Sequence, residues 1–137
     1  MTKNFSWCVR VYYEDTDAGG VVFYANYLKF FERARSEWLR AAGVQQQALM
    51  HSDGVMFVVT GTAVDYHAPA QLDDELNLTV AVEKLGRASV QFFQQAWRGQ
   101  QLLTSGRIKV ACVGAKSFRP QPIPASVLLK IAPPAEQ

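Results

Sequence analysis

Most of the chain alternates apolar and polar residues with the period of two that is typical of half-buried β-strands. The segment ELNLTVAVEKL, at residues 75–85, is the clearest example, because every second residue from Leu76 to Val82 is apolar. Four further segments rich in β-branched and aromatic residues are predicted as strands, at 7–14, 55–67, 88–97 and 101–113. Short breaks separate the strands from residue 55 onward, so we expect consecutive strands to pair antiparallel.

One stretch follows a helical period instead. Between residues 26 and 42 the apolar side chains recur every three or four positions and form a strongly aromatic face. That face consists of Tyr27, Phe30, Phe31, Ala34 and Trp38. Asn26 suits the N-cap of this helix, and Gly43 suits its C′ position. Short helical turns are also expected within QQQALM and within the C-terminal tail.

A single long helix combined with consecutive strands predicts a two-layer α+β domain in which the antiparallel sheet curls around the helix. The length of 137 residues suits one domain. We therefore expect a single domain over residues 1–137, with its core at about 7–115 and a C-terminal tail at about 117–137.

Composition and charge exclude several classes of protein. Hydrophobic residues make up 49% of the chain and charged residues 19%, so the chain is not intrinsically disordered. The net charge of +2 is too small for a nucleic-acid binder that neutralises phosphates. No apolar run is long enough to span a membrane, and the first residues lack the apolar core of an export signal. Since there are only two cysteines, we expect a cytoplasmic protein with free thiols.

Candidate chemistry concentrates in the segment EDTDAGGVVFYANY, at residues 14–27. Glu14, Asp15 and Asp17 lie within four positions, and the two glycines that follow allow a ligand to approach the backbone. On an extended segment Asp15 and Asp17 would point to the same side. The helix start near Tyr24 would offer unpaired N–H groups to a developing oxyanion. The segment therefore predicts a carboxylate beside an oxyanion hole, and the alternative is a helix-entry loop whose acids lie near a positive helix end.

Other catalytic motifs are missing from the sequence. It contains no GxSxG, P-loop, GxGxxG or HExxH pattern. His51 and His67 are far apart and do not have the spacing of metal ligands, so we expect no metal site.

The segment YEDTDAGGVVFYANYLKFFERAR resembles the N-terminal signature of the 4-hydroxybenzoyl-CoA thioesterase family of hotdog-fold enzymes. Within that family the likeness is greatest to the acyl-CoA thioesterases associated with the Tol–Pal system. The segments VDYHAPAQLDDEL and KLGRASVQF support it, so the resemblance extends from about Val9 to Val113. It implies a hotdog fold, in which a five-stranded antiparallel sheet wraps one long helix. It also implies a homodimer or homotetramer with active sites at the subunit interface.

The resemblance also assigns site residues. Asp17 matches the catalytic carboxylate of the family, which acts as a nucleophile or as a general base for water. The backbone N–H of Tyr24 matches the donor that polarises the thioester carbonyl. Arg87 and Ser89 match the segment that holds the phosphates of coenzyme A. Members associated with the Tol–Pal system usually carry His at the position of Tyr24, so a side-chain role there does not carry over.

A few residues outside these assignments are candidates in their own right. Gly61, inside a predicted strand, marks either a β-bulge or close backbone approach to the ligand. Arg107 and Arg119 are alternative phosphate ligands. Glu32 is a weaker rival for the catalytic carboxylate, and on the polar helix face it is expected to pair with Arg35 or Ser36.

We therefore expect an acyl-CoA thioesterase that releases a carboxylic acid and coenzyme A and uses no metal or organic cofactor. Acyl carrier protein stays open as an alternative acyl donor. One rival function is a hotdog hydratase or dehydratase, which needs a His near the acid, whereas no His occurs within the first 50 residues. The other is a non-catalytic protein that binds acyl-CoA or acyl carrier protein in the cell-envelope or lipid-synthesis machinery.

Overall fold

The computed structural model describes residues 5–132. Its elements are β1 (Phe5–Arg10), a 3₁₀ turn (Tyr13–Asp15), α1 (Asn26–Ala41), α2 (Gln46–Ser52), β2 (Val55–Tyr66), β3 (Glu75–Leu85), β4 (Ser89–Arg98), β5 (Gln101–Gly114) and α3 (Ala125–Ile131). The four strands after α1 agree with the prediction to within one residue at each end. The two short helices also lie where the sequence predicts helical turns. Within the described residues, no helix combines the length and the apolar composition that crossing a membrane requires.

The five strands form one antiparallel sheet in the order β1-β3-β4-β5-β2, and α1 packs across its inner face. The aromatic face of α1 provides the centre of the core, since Phe30 and Phe31 are completely buried. They pack with inward side chains of the central strands, such as Leu78 and Ile108. This arrangement confirms the predicted α+β class, with one long helix against a five-stranded antiparallel sheet.

The expectation that consecutive strands are neighbours is wrong for β2 and β3. β2 pairs only with β5 and forms an edge of the sheet, whereas β3 lies between β1 and β4. Residues 67–74 therefore cross three strand spacings, about 14 Å, which this segment spans easily. The start of the crossing is held because the N–H groups of His67 and Ala68 donate to Leu103 O, at 2.8 and 3.2 Å.

The first strand ends earlier than predicted. β1 stops at Arg10. Alternation along the predicted strand 7–14 places Tyr13 on the same face as Val9 and Val11, but Tyr13 lies in the 3₁₀ turn and is 82% exposed. The cause is local, because the Asp15 carboxylate accepts a hydrogen bond from Tyr12 N–H at 2.9 Å and turns the chain away from the sheet. Val11, by contrast, is completely buried.

Gly43 ends α1 as the sequence predicts. It adopts φ +89°, and its N–H donates to Arg40 O at 3.0 Å. The N–H of Val44 donates to Leu39 O at 2.8 Å, which completes a Schellman motif. The left-handed conformation explains the choice of glycine at this position.

A β-bulge in β2 changes which residues face α1. The register with β5 shifts between Val59 and Gly61, so that Thr60 is the extra residue. Before the bulge Phe57 and Val59 face the helix, and after it Tyr66 does so and contacts α1. The bulge expected at Gly61 is therefore present, and it turns Gly61 towards the outer face of the sheet.

The close contact between α1 and the sheet yields a stability prediction. A Cβ at Gly106 of β5 would lie 3.0 Å from Cε2 of the completely buried Phe31, closer than an ordinary van der Waals contact. We expect Gly106→Ala to lower the free energy of unfolding by about 1–3 kcal/mol, measured by urea denaturation.

Gly61→Ala is the matched control. A Cβ there would meet only Lys109 Cδ at 3.8 Å, which is ordinary van der Waals contact. Its stability should stay within about 0.5 kcal/mol of the wild type or rise slightly. Equal stability of the two variants would contradict the close helix–sheet contact.

Candidate active site

The loop before α1 folds into a small hairpin. Asp17 N–H donates to Val21 O and Phe23 N–H donates to Asp15 O, both at 2.9 Å. The hairpin turn closes when Gly20 N–H donates to Asp17 O at 3.0 Å, and Gly20 adopts φ +80°. This positive φ requires glycine, and the hairpin brings the acidic residues and the helix start into one local unit.

The two aspartates of the hairpin have different environments, so the expectation that they point to the same side is wrong. Asp15 is 7% exposed, and its carboxylate accepts the hydrogen bond from Tyr12 N–H that caps the 3₁₀ turn. Asp17 is exposed, and its Oδ1 accepts a hydrogen bond from Gly19 N–H at 2.8 Å. Among residues 5–132 no cation forms a salt bridge with Asp17. Of the two aspartates, Asp17 is therefore the one whose carboxylate a ligand can reach.

The start of α1 leaves backbone donors without acceptors. Ala25, with φ −71° and ψ −18°, occupies the N-cap, so the prediction of Asn26 at this position is wrong. Asn26 is the first helical residue, and its side-chain amide donates to Asp15 O at 2.8 Å, which ties the helix to the hairpin. Within residues 5–132 the N–H groups of Tyr24 and Ala25 donate to no protein acceptor. They lie at the positive end of the helix dipole, where a carbonyl oxygen can accept from them.

A cluster of tyrosines surrounds this helix start. Tyr66 Oη donates to Tyr24 O at 3.0 Å, which fixes the peptide plane that carries the Ala25 N–H. The Tyr66 ring also lies 5.7 Å from that of Tyr27, measured between centroids. Burial, together with the neighbouring Tyr24 and Tyr27, raises the pKa of Tyr66, so the phenol stays a neutral donor. The strand pattern around Tyr66 carries no sign of this role, because the bulge decides which face it joins.

A cavity of about 270 Å³ opens beside these tyrosines. Its lining includes Tyr24, Tyr66 and His67. The imidazole of His67 lies 3.3 Å from Ser105 Oγ, measured from Nε2. His67 and Tyr24 are far apart in sequence, so no sequence pattern indicated that they line one cavity. In the described part of the chain, His, Cys, Asp and Glu side chains nowhere gather in threes as they would around a metal ion.

The segment that crosses from β2 to β3, residues 67–74, contacts the hairpin through its backbone. Val22 N–H donates to Ala70 O at 2.8 Å, and Val21 forms a bridge with Gln71. The end of the segment is fixed by Arg98, whose Nη1 lies 2.7 Å from Asp74 Oδ2. The hairpin that carries Asp17 therefore depends on this ion pair for its support.

Arg87 and Ser89 lie at the other end of the sheet, in and after the turn between β3 and β4. The length of β3 separates this turn from the crossing segment by about 35 Å. Arg87 is exposed, and within residues 5–132 it forms no salt bridge. A single subunit does not bring Arg87 and Ser89 to Asp17, and their predicted role in phosphate binding stays a prediction.

Gly61 also lies away from the helix start, in a groove on the outer face of the sheet that includes Glu83, Arg107 and Lys109. Arg107 Nε donates to Glu83 at 3.1 Å, and the guanidinium lies 5.2 Å from the ring centroid of Phe93. Arg107 is thus already partnered. The predicted contact of Gly61 with substrate stays a prediction.

Comparison with known proteins places this chain in a family. A model of the thioesterase superfamily matches residues 19–105. The chain belongs to this superfamily. It is 44% identical over 127 residues to the acyl-CoA thioesterase YbgC of Haemophilus influenzae, covering 93% of both chains. It is 34% identical over 124 residues to the acyl-CoA thioesterase YbgC of Helicobacter pylori strain 26695, covering 84% of this chain and 90% of that relative.

Solved structures agree with the family. A probable thioesterase from Bartonella henselae superposes with a TM-score of 0.85 at 32% identity, covering 89% of this chain and all of its own. A hypothetical protein from Aquifex aeolicus superposes with a TM-score of 0.85 at 28% identity, covering 93% of this chain and 98% of its own. The predicted family and the hotdog fold are confirmed. The Tol–Pal association, the cytoplasmic location and the absence of a cofactor stay predictions.

The Asp74–Arg98 pair yields a pH-dependent stability prediction. Partial burial raises the pKa of Asp74, but the hydrogen bond from Gln71 N–H and the Arg98 guanidinium outweigh it and hold this pKa below its ordinary value. A depressed carboxyl pKa stabilises the fold above the pKa of the unfolded chain, about 3.9, and this contribution is lost as the pH falls through the folded value. Arg98→Met should therefore lower the free energy of unfolding by about 1 kcal/mol at pH 7.

Urea denaturation at pH 7 and near pH 3 measures this effect. The difference between Arg98→Met and the wild type should shrink at the lower pH. Arg10→Met is the control, because its pair with Glu75 is about half exposed on both sides and contributes little. A loss in Arg98→Met that does not change with pH would mean that packing of Arg98, rather than its charge, supports the loop.

Proposed function

We propose that this chain hydrolyses acyl-CoA thioesters at the hairpin before α1. The observation that carries the proposal is the combination of the exposed Asp17 carboxylate with the unsatisfied N–H groups of Tyr24 and Ala25 on one hairpin. A carboxylate acting on an acyl carbon and fixed donors for the resulting oxyanion are what acyl transfer to water requires. The relatives named acyl-CoA thioesterase support the same activity.

The reaction consumes one water and releases a carboxylic acid and coenzyme A. In the general-base route, Asp17 takes a proton from water, the water oxygen attacks the carbonyl carbon, and the carbon–sulfur bond breaks. In the nucleophilic route, the Asp17 carboxylate attacks the carbonyl carbon, and the carbon–sulfur bond breaks to release coenzyme A as a thiolate. Water then hydrolyses the resulting mixed anhydride, which releases the carboxylic acid and restores the Asp17 carboxylate. In both routes the helix-start N–H groups stabilise the oxyanion, and Tyr66 keeps the Ala25 peptide plane in place.

A hydratase or dehydratase is the second candidate, and His67 is the observation that favours it. The fold places His67 in the same cavity as Tyr24, although it lies far from the acidic loop in sequence. A free-thiol assay over a panel of acyl-CoAs separates the possibilities. Thiol release supports hydrolysis, conversion of an enoyl-CoA without thiol release supports hydration, and binding without either supports the non-catalytic rival.

A second copy of this chain completes the proposed site. β2 is an edge strand with one row of backbone groups unpaired within the sheet, and open edges invite pairing. Antiparallel pairing of β2 with the β2 of a partner forms a two-fold dimer. The Tyr66 end of one β2 then lies beside the Val55 end of the other. The β3–β4 turn of the partner, with its Arg87, thereby comes to the same end of the joined sheet as Asp17.

Asp17→Asn should fold and assemble, because the amide is nearly isosteric and can still accept from Gly19 N–H. It cannot attack a thioester or accept a proton from water, so kcat should fall at least about a hundredfold while KM changes much less. Steady-state kinetics with acyl-CoA measure both constants.

Asp15→Asn is the matched control for Asp17→Asn. Asp15 is buried and holds the loop, so this change should lower the stability more than the turnover. If Asp17→Asn keeps most of its turnover while Asp15→Asn or Glu32→Gln is inactive, the assignment of the catalytic carboxylate is wrong.

Arg87→Ala should raise KM for acyl-CoA about 10- to 100-fold and change kcat less, because the phosphates do not change in the transition state. The heterodimer with one Arg87→Ala subunit and one Asp17→Asn subunit tests whether Arg87 acts across the interface. One of its two sites combines an intact Asp17 with the intact Arg87 of the other subunit, so KM should return to the wild-type value. If KM stays raised in this heterodimer, Arg87 does not contribute to the site of the partner subunit.

A further inference from the structure

Three large apolar side chains are exposed at the end of the sheet that carries the β3–β4 turn. Met50 of α2 is 40% exposed, Phe118, which follows β5, is 68% exposed, and Leu129 of α3 is 85% exposed. Side chains as exposed as Phe118 and Leu129 protrude from the surface and do not line a groove. Exposed apolar residues that gather in one region mark a surface for interaction, whereas single ones do not.

Backbone hydrogen bonds hold these segments together. Ala115 N–H donates to Gly54 O at 2.8 Å, which joins the loop after β5 to the end of α2. Ile123 N–H donates to Arg87 O at 2.9 Å, which joins the segment before α3 to the β3–β4 turn. The three apolar side chains therefore belong to one end of the molecule.

The same end is positively charged. Arg87, Lys116 and Arg119 are exposed, and within residues 5–132 none of them forms a salt bridge. Residues 50–54, 86–88 and 115–131 contain four Lys or Arg side chains and one carboxylate, that of Asp53. We call this surface the basic end face, and its members are Met50, Arg87, Lys116, Phe118, Arg119 and Leu129.

Phe118 is held in a costly conformation. Its φ of +58° lies in the left-handed region, which a bulky residue adopts only under constraint. Phe118 N–H donates to Gly114 O, and Gly114 N–H donates to Arg119 O, both at 2.9 Å, so hydrogen bonds fix the backbone around it. Glycine at this position would relieve the strain and remove exposed apolar surface. An aromatic side chain that is kept here in spite of both costs suits a residue used for binding.

The exposed side of α1 has a different character. Glu37 pairs with Arg40, and Glu32 Oε2 accepts from Ser36 Oγ at 2.7 Å, so of the two partners expected for Glu32 the structure uses Ser36. Charges of both signs thus satisfy one another on the helix, whereas the basic end face combines cations with protruding apolar groups. That combination is typical of proteins that bind at the surface of a membrane.

Charge also decides against a second copy of this chain as the occupant of the basic end face. A two-fold contact joins identical patches, so it would bring the cations of one copy against those of the other. An anionic bilayer instead attracts them, and each Lys or Arg close to its surface adds to binding. A bilayer also takes up protruding Phe and Leu side chains without a shaped pocket.

We propose that the basic end face docks reversibly on an anionic lipid bilayer. Phe118 and Leu129 insert into the interfacial region of the bilayer, and Lys116 and Arg119 lie at the lipid phosphates. The inference does not depend on the proposed function, because it needs neither Asp17 nor the donors at the start of α1.

Co-sedimentation with large unilamellar vesicles measures the docking. The wild type should bind vesicles of equal parts phosphatidylglycerol and phosphatidylcholine, and it should not bind pure phosphatidylcholine. Raising the salt from about 0.1 M to about 0.5 M should weaken the binding, because the cations contribute to it. Lys116→Gln should weaken it about fivefold, which corresponds to one cation near an anionic surface. Leu129→Ser should weaken it about tenfold through the lost apolar contact.

Phe118→Gly is the decisive variant. Its affinity for the anionic vesicles should fall about tenfold or more. Its melting temperature should rise by a few degrees, because glycine adopts a positive φ without strain. Loss of binding by a more stable protein cannot result from misfolding. Phe118→Trp should keep the binding, since Trp also suits the membrane interface. If Phe118→Gly melts below the wild type, Leu129→Ser decides the question.

Tyr13→Ser is the matched control. Tyr13 is an aromatic residue that is 82% exposed, but it follows β1 at the opposite end of the sheet, beside the carboxylate of Glu14. This variant should bind the anionic vesicles as the wild type does.

Several outcomes would overturn the proposal. If the wild type does not bind the anionic vesicles at the lower salt, the occupant is not a bilayer, and an acidic protein becomes the alternative. Equal vesicle binding by Phe118→Gly and the wild type would overturn it as well. If that variant also raises KM for acyl-CoA, Phe118 contacts coenzyme A instead, and if it changes the oligomeric state, the basic end face is a subunit interface.

Discussion

The burial of one face of α1 against the sheet is the contact on which the rest of the structure depends. Phe31 packs directly on Gly106, and the buried Gln94 side chain donates to Phe31 O at 3.0 Å, so the helix is fixed both along and across the strands. Once the axis is fixed, the position of its first turn is fixed too. The hairpin that carries Asp17 is tied to that turn by the hydrogen bond from Asn26 to Asp15. The geometry of the proposed site is therefore a consequence of core packing some distance away along the helix.

The same packing explains why polar groups stay unsatisfied where a ligand would bind. A helix that begins with alanine at its N-cap forgoes the side-chain acceptor that usually satisfies an early N–H group, at a cost of about 1 kcal/mol. The Tyr66 hydroxyl could donate to a ligand, but it donates instead to Tyr24 O and fixes the plane of the Tyr24–Ala25 peptide. The chain thus maintains free donors in a fixed orientation, and electrostatic preorganisation of this kind is an effective way to stabilise an oxyanion.

Sequence reasoning recovered the elements that depend on local patterns. The helical face of α1, the Gly43 end and the strand limits follow from periodicity and from backbone preferences, and these act within a few residues. It failed where one side chain redirects the backbone, as when Asp15 ends β1 early and turns Tyr13 outward. It also failed where contacts between distant segments determine the order of the strands, as in the crossing from β2 to β3. Tyr66 and His67 reach the helix start because of that crossing, which no local pattern reveals, and because of the bulge at Thr60, which Gly61 indicated as only one of two alternatives.

The separation between Asp17 and Arg87 shows what a single subunit can and cannot encode. Both residues stand in motifs that the family resemblance assigns to one site, yet they lie near opposite ends of β3, a strand about 35 Å long. The proposed oxyanion donors lie at a helix start, whereas the proposed phosphate ligands lie at the opposite turn of the same sheet. The proposed two-fold axis at the β2 edge would resolve this conflict by reversing the partner's strand direction, so that opposite ends of the two subunits meet. On this view the open edge of β2 is not a defect of the isolated subunit but the element that allows one small core to supply both halves of an extended binding site.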